Sequence, residues 1–90
     1  MVSEKVTLKN PTGLHLRPAG FLCKEAMKYK SVVTFGYGPE FINSANAKSV
    51  LSVLGARIRN GDEIEFHCDG EDEEEALKAM VGIVEDGLGE

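Results

Sequence analysis

Apolar and polar residues alternate through Lys5-Val6-Thr7-Leu8-Lys9, the period-two mark of a strand with one buried face. Asn10-Pro11-Thr12-Gly13 ends it with a dense turn signal. The period then changes. From Leu16 to Lys30, Ala19, Leu22, Cys23, Ala26 and Met27 recur at spacings of three and four, with Lys24, Lys28 and Lys30 outside, which predicts an amphipathic helix weakened at Gly20. Val32 to Tyr37 is rich in β-branched and aromatic residues and places Val33, Phe35 and Tyr37 against Thr34, a second strand. Gly36, Gly38 and Pro39 turn the chain, and Glu40-Phe41-Ile42 is expected to return as a short hairpin strand before a loop over Asn43 to Asn46.

Val50, Val53, Leu54 and Ile58 mark a second helix, capped by Asn46 or Ser49 and softened at its end by Gly55. After the Asn60-Gly61 turn, Ile64, Phe66 and Cys68 alternate with Glu63, Glu65 and His67, the clearest strand in the chain. Asp69 is placed to cap a last helix whose first turn holds Glu71, Asp72, Glu73, Glu74 and Glu75, where acids favour the positive helix end. Leu77, Met80, Val81, Val84 and Leu88 form its apolar stripe, with Gly87 and Gly89 beyond. The order β-α-β-β-α-β-α, without strict βα alternation and with half-polar strands, predicts an α+β open-faced sandwich: a four-stranded antiparallel sheet with three helices on one face.

The chain has 90 residues and a net charge of −5, room for one domain spanning residues 1–90. Its charge is uneven: residues 1–45 carry six basic and three acidic groups, residues 46–90 four and twelve. An acidic chain with no Trp and few aromatics argues against nucleic acid, which rewards basic patches and stacking rings. No apolar run approaches the ~18 residues of a membrane span, and Met1-Val2-Ser3-Glu4-Lys5 lacks the form of a signal peptide, so a cytoplasmic monomer without membrane insertion is expected. Cys23 and Cys68 lie far apart and read as reduced, buried thiols. Metal is not expected, because alternation sets His67 opposite Cys68 across the sheet and leaves it a surface histidine. No cofactor is called for.

The chemistry concentrates in Gly13-Leu14-His15-Leu16-Arg17-Pro18. Pro18 belongs in the first turn of a helix, where its missing N–H costs nothing, so the helix starts beside His15. Unpaired N–H groups of residues 16 and 17, at an end carrying a partial charge of roughly +0.5, suit an anion there. Arg17 adds a permanent forked cation. Histidine is a nucleophile near neutral pH through a ring nitrogen's free lone pair. By analogy with hydroxyl phosphates, a phosphoryl group on His15 brings about −1.5 to −2 charges into these donors. From the spacing alone, His15 as a plain helix-capping residue and Arg17 as a solvated side chain remain the other reading.

Asn10-Pro11-Thr12-Gly13-Leu14-His15-Leu16-Arg17-Pro18-Ala19 resembles the active-site signature of the HPr family, the histidine-containing phosphocarriers of the sugar phosphotransferase system. Lys48-Ser49-Val50-Leu51 resembles that family's regulatory serine site. With the length, the element order and Asp69-Gly70 before an acidic helix start, the similarity covers essentially the whole chain. It implies an HPr-like fold and a carrier that is not itself a catalyst. His15, through Nδ1, would take a phosphoryl group from phosphorylated enzyme I, derived from phosphoenolpyruvate, and pass it to a sugar-specific enzyme IIA. Arg17 would contact the phosphoryl group, and Thr12 stands at a hydroxyl position on the rim, where a turn role is the competing account.

The resemblance also implies that Ser49 is the target of an HPr kinase/phosphorylase that represses transfer and recruits a catabolite-control regulator; the alternative is an N-cap worth about 1 kcal/mol. Leu16, Gly20, Val50, Leu51 and Leu54, with charge from Arg17 and Lys24, are the expected partner surface, some of it core. Leu16 and Gly20 stand where the family often has smaller or polar residues, Ser52 where glycine is common, and the stretch from Gly38 to Asn46 is long. A nitrogen-regulatory paralogue shares the histidine motif and is the alternative within the class. A silent interaction module on the same fold is the alternative outside it, opposed by His15. An enzyme with His15 as general base lacks a Gly-rich phosphate loop or a second acid/base nearby in sequence.

Overall fold

The computed structural model describes residues 1–90. Its elements are β1 (Val2–Thr7), α1 (Leu16–Ala26), β2 (Val32–Tyr37), a 3₁₀ turn (Pro39–Phe41), β3 (Asn43–Asn46), α2 (Val50–Gly55), β4 (Glu63–Asp69) and α3 (Glu73–Glu85). The four strands form one antiparallel sheet in the order β1-β4-β2-β3. This is the expected open-faced sandwich in the expected order.

Register explains the core. Val6 pairs with Ile64, Phe35 with Phe66 and with Ala45, and Val33 with Cys68, so period-two alternation puts all of them on one face. All are buried there, each large side chain contributing about 1.5–3 kcal/mol. Phe35 meets Phe66 edge to face at 6.0 Å between centroids. The helices close this face: α3 lies on β1 and β4 through Ala76, Met80, Val81 and Val84, and α1 lies between α2 and α3. The other face carries Glu65, His67 and Thr34, with His67 Nε2 3.0 Å from Glu65 Oε1.

Six local expectations are corrected. The first strand runs over residues 2–7, since the Leu8 N–H turns to the Asp62 carbonyl at 2.8 Å, while Leu8 stays in phase and buried. The first helix stops at Ala26, because the Lys28 and Tyr29 N–H groups bond only three residues back and the next two, Lys30 and Ser31, are taken by the Asp72 carboxylate at 2.9 Å each. That engagement also displaces the cap of the last helix: Asp69 ends β4, Asp72 occupies the N-cap position, and its side chain serves Ser31 instead of the helix.

The third strand is Asn43–Asn46, and Glu40-Phe41-Ile42 lies in and just after the 3₁₀ turn. Asn43-Ser44-Ala45-Asn46 has weak intrinsic β preference but completes the ladder along β2, a case of pairing overriding propensity. Phe41 instead folds over Gly36, where a Cβ would stand 2.9 Å from the Phe41 Cβ, and Lys5 Nζ lies 5.3 Å from its ring centroid. The second helix ends at Gly55, short of the buried Ile58. Its N-cap is Ser49, whose Oγ accepts the Ser52 N–H at 3.2 Å. Cys68 is buried, but Cys23 is only half-buried, its thiol donating to the Lys48 carbonyl at 3.1 Å.

Candidate functional site

The site begins with Asn10. It is buried and donates to the Gly13 carbonyl at 2.6 Å, while the Gly13 N–H returns to the Asn10 carbonyl at 3.2 Å. Asn60 Nδ2 donates to the carbonyls of Lys9 and Asn10 at 3.0 and 3.1 Å, fixing the turn from the other side. Gly13 has φ +64, and a side chain there would meet Ile58 and Arg59 backbone. Leu14 N–H then bonds the Ile58 carbonyl at 2.9 Å and its side chain is buried. With both preceding residues pinned, His15 leaves the turn in an extended conformation, φ −75 and ψ −179, and stands exposed.

His15 occupies the N-cap position of α1, yet its ring makes no capping bond. Its carbonyl accepts the Ala19 N–H at 2.8 Å, so the backbone starts the helix without the imidazole. Geometry therefore disfavours the plain capping role. Leu16 and Arg17 are the first helical residues, their N–H groups lack intrahelical acceptors, and Pro18 follows, buried.

Glu90 was not anticipated at this end of the molecule. One of its carboxylate oxygens accepts from Asn10 Nδ2 at 2.9 Å and from the Thr12 hydroxyl at 2.7 Å. These two bonds, Asn10 first, hold its carboxyl below the usual range, with a smaller contribution from the Arg17 charge. Thr12 thus stands at the rim, its hydroxyl engaged by a carboxylate, and Arg17 lies on the Glu90 side.

Beyond His15 the surface dips into a hollow of about 250 Å³ with Leu14 and Ile58 in its lining and Thr12, His15, Leu54, Arg57 and Arg59 around them. Arg57 and Arg59 are cations that sequence reasoning missed. Their only signal was position, on either side of an Ile that pairs with the histidine loop.

The remaining candidates lie on α1 and α2, which pack against each other. Leu16 and Leu51 are 62% and 83% exposed, Lys24 is exposed, and Gly20, Val50 and Leu54 are half-buried; none is fully core. Ser49 is half-buried and its oxygen serves as a hydrogen-bond acceptor for the cap.

A family model described as PTS HPr component phosphorylation site matches residues 2–86. The phosphocarrier protein HPr of Mycoplasma genitalium is 38% identical over 85 residues, 94% of this chain and 94% of that protein. The HPr-like protein Crh of Bacillus subtilis is 33% identical over 86 residues, covering 96% and 98%. Among solved structures, HPr-C-His from Thermoanaerobacter tengcongensis superposes with a TM-score of 0.90 at 33% identity, covering 100% of this chain and 98% of that one.

Proposed function

Because the chain belongs to the HPr family of the phosphotransferase system, we propose that it is a single-domain phosphocarrier that loads and unloads a phosphoryl group at His15. The observation that carries this reading is the His15 ring: exposed, free of any capping bond, and set between a helix start and a cation-lined hollow. Attack by Nδ1 on the phosphohistidine of enzyme I forms one N–P bond as the donor's breaks, so no cofactor or oxidant is involved. The reverse logic delivers the group to an enzyme IIA. Arg17 balances the incoming charge with a guanidinium matched to phosphate oxygens. The protein supplies the acceptor and the partner the remaining chemistry, the division of labour of a carrier and not of an enzyme.

Leu16 and Leu51, exposed beside the acceptor, with Gly20, Val50 and Leu54 and the charge of Lys24, form the docking surface. A small apolar patch with a charged rim suits partners that must dissociate quickly. No helix is long and apolar enough to cross a membrane. In this reading the protein is a cytoplasmic monomer that diffuses between its partners.

Ser49 is the regulatory position in this reading. Its hydroxyl oxygen accepts a single backbone bond and its proton is committed to no acceptor, which leaves the oxygen chemically available to an HPr kinase/phosphorylase. The likeness to Crh, described as a catabolite repression HPr of Bacillus subtilis, supports a regulatory function alongside transfer, for which a catabolite-control regulator is the partner we infer.

Intact mass after incubation with phosphoenolpyruvate and catalytic enzyme I tests the carrier reading. One acid-labile phosphate on the wild type and none on His15→Ala is expected; no gain on the wild type would refute it. For Ser49, the kinase with ATP should add an acid-stable phosphate that Ser49→Ala abolishes.

A further inference from the structure

We propose that Arg57 and Arg59 form a second cationic wall of the phosphoryl site, in the hollow that His15 lines; the assignment rests on the carrier reading above. The chain contains three arginines in all, within a net charge of −5, and they are Arg17, Arg57 and Arg59. Arg57 and Arg59 line the hollow that His15 also lines, while Arg17 exerts its charge on Glu90. The ion pairs of the structure use the Met1 amino group, Lys28 and His67, and no arginine. None of the three guanidiniums is held in an ion pair, although Arg17 acts on Glu90 and Arg57 also borders a hollow with Asp62 and Glu63.

Backbone geometry sets where Arg57 projects. α2 ends at Gly55 and Ala56, and Arg57 is the next residue, its N–H bonding the Leu54 carbonyl at 3.2 Å with φ +55. This is the left-handed position that closes a helix and that glycine takes most readily. Arginine is less favourable there than glycine, a cost that Glu40, Phe41 and Leu88 of this chain also carry, and at this position it sets the side chain at the hollow beside His15. Arg59 is set from its backbone: its N–H bonds Asp62 Oδ2 at 2.9 Å, and its Cα is so close to Gly13 that a Cβ on Gly13 would lie 2.6 Å away. The residue before His15 and the residue between the two arginines are tied by the Leu14-to-Ile58 bond at 2.9 Å. The backbone that carries the histidine and the backbone that carries the two arginines are therefore joined.

A phosphoryl group on His15 carries about −1.5 to −2 charges, by analogy with hydroxyl phosphates, and its oxygens match guanidinium forks. With these cations beside it, the fully ionised form is favoured and the approaching donor meets added positive charge. Arg57 also borders a neighbouring hollow that holds Asp62 and Glu63, so the competing role is to serve those carboxylates.

The test phosphorylates His15 with phosphoramidate, which transfers its phosphoryl group to the imidazole and releases ammonia, so that no protein donor is needed. ³¹P NMR titration of the loaded wild type is compared with Arg57→Gly, Arg57→Lys and Arg59→Gln, with His15→Ala as the labelling control. Arg57→Gly suits φ +55 and keeps the fold. Loss of either arginine should raise the pH at which the phosphoryl group loses its last proton by about half a unit, a roughly threefold change in proton affinity, and Arg57→Lys should recover most of it. The KM for phosphorylated enzyme I should rise severalfold with both single variants. Unchanged titrations in Arg57→Gly and Arg59→Gln overturn the proposal. If phosphoramidate labels His15 while enzyme I does not, the carrier reading fails separately.

Discussion

A Cβ placed on Gly13 would lie 2.5 Å from the Ile58 carbonyl oxygen, closer than real Cβ contacts allow. That carbonyl already accepts the Leu14 N–H, so neither strand of backbone can withdraw without losing the bond that aims His15. Gly13→Ala therefore faces both a steric clash and φ +64. It should destabilise the protein by about 2 kcal/mol or more, read as a lowered urea midpoint, and slow phosphorylation of whatever fraction stays folded.

The strong periodicities carried the fold. β2 and β4 were legible because alternation and β-branched or aromatic content agreed, and the helical stripes because three- and four-residue spacing persisted over several turns. What was not legible depended on contacts distant in sequence. Asn43–Asn46 becomes a strand only because β2 offers an unpaired edge, and Asp72 abandons its helix only because Ser31 is there to receive it. At the candidate site, His15 and Arg17 sit in one motif and are visible together in the sequence. Glu90 and Arg57 reach the same place by tertiary folding, and Arg57 was hidden further because its strained backbone is invisible in composition.

Asn10 joins the turn to Glu90. Replacing it with Ala removes the donor that closes the turn and leaves the Gly13 carbonyl without that side-chain partner, at a cost of about 1–3 kcal/mol. The same change takes away the larger of the two bonds that depress the Glu90 carboxyl. Two readouts should move together: the thermal midpoint falls, and the Glu90 carboxyl, followed by ¹³C NMR, titrates at higher pH than in the wild type. A Glu90 titration that stays put would show that Thr12 and Arg17 suffice to hold it.

Asp72 sets an acid limit on the fold. Hydrogen bonds from the Ser31 hydroxyl, then from the Lys30 and Ser31 N–H groups, bring its carboxyl down to about 2. Its folded value lies below its unfolded value near 4, so the unfolded chain binds the proton first as pH falls. The contribution is complete above about pH 4 and is lost progressively toward pH 2. Asp72→Asn should lower stability at neutral pH and flatten the decline between about pH 4 and 2, seen in urea midpoints measured across that range. A variant with the same slope as the wild type would place the acid sensitivity elsewhere.

Leu51 and Leu16 separate stability from docking. Leu51 is 83% exposed and Leu16 62% exposed, so neither contributes much burial to the core; Leu16 lies on the helix that begins at His15 and Leu51 on the helix packed against it. Surface substitutions of this kind change stability by about 0.5 kcal/mol or less. An apolar side chain that becomes buried only in a complex can be worth a few times that, since its transfer from water happens on docking. Leu51→Ser and Leu16→Ser should therefore leave the thermal midpoint within a few degrees of the wild type while raising the KM of transfer from enzyme I or to enzyme IIA. Chemical phosphorylation of His15 by phosphoramidate requires no docking, and its rate should be unchanged in both. Equal losses in the chemical and the protein-driven reactions would mean that the leucines shape His15 itself, and equal KM values would remove them from the docking surface.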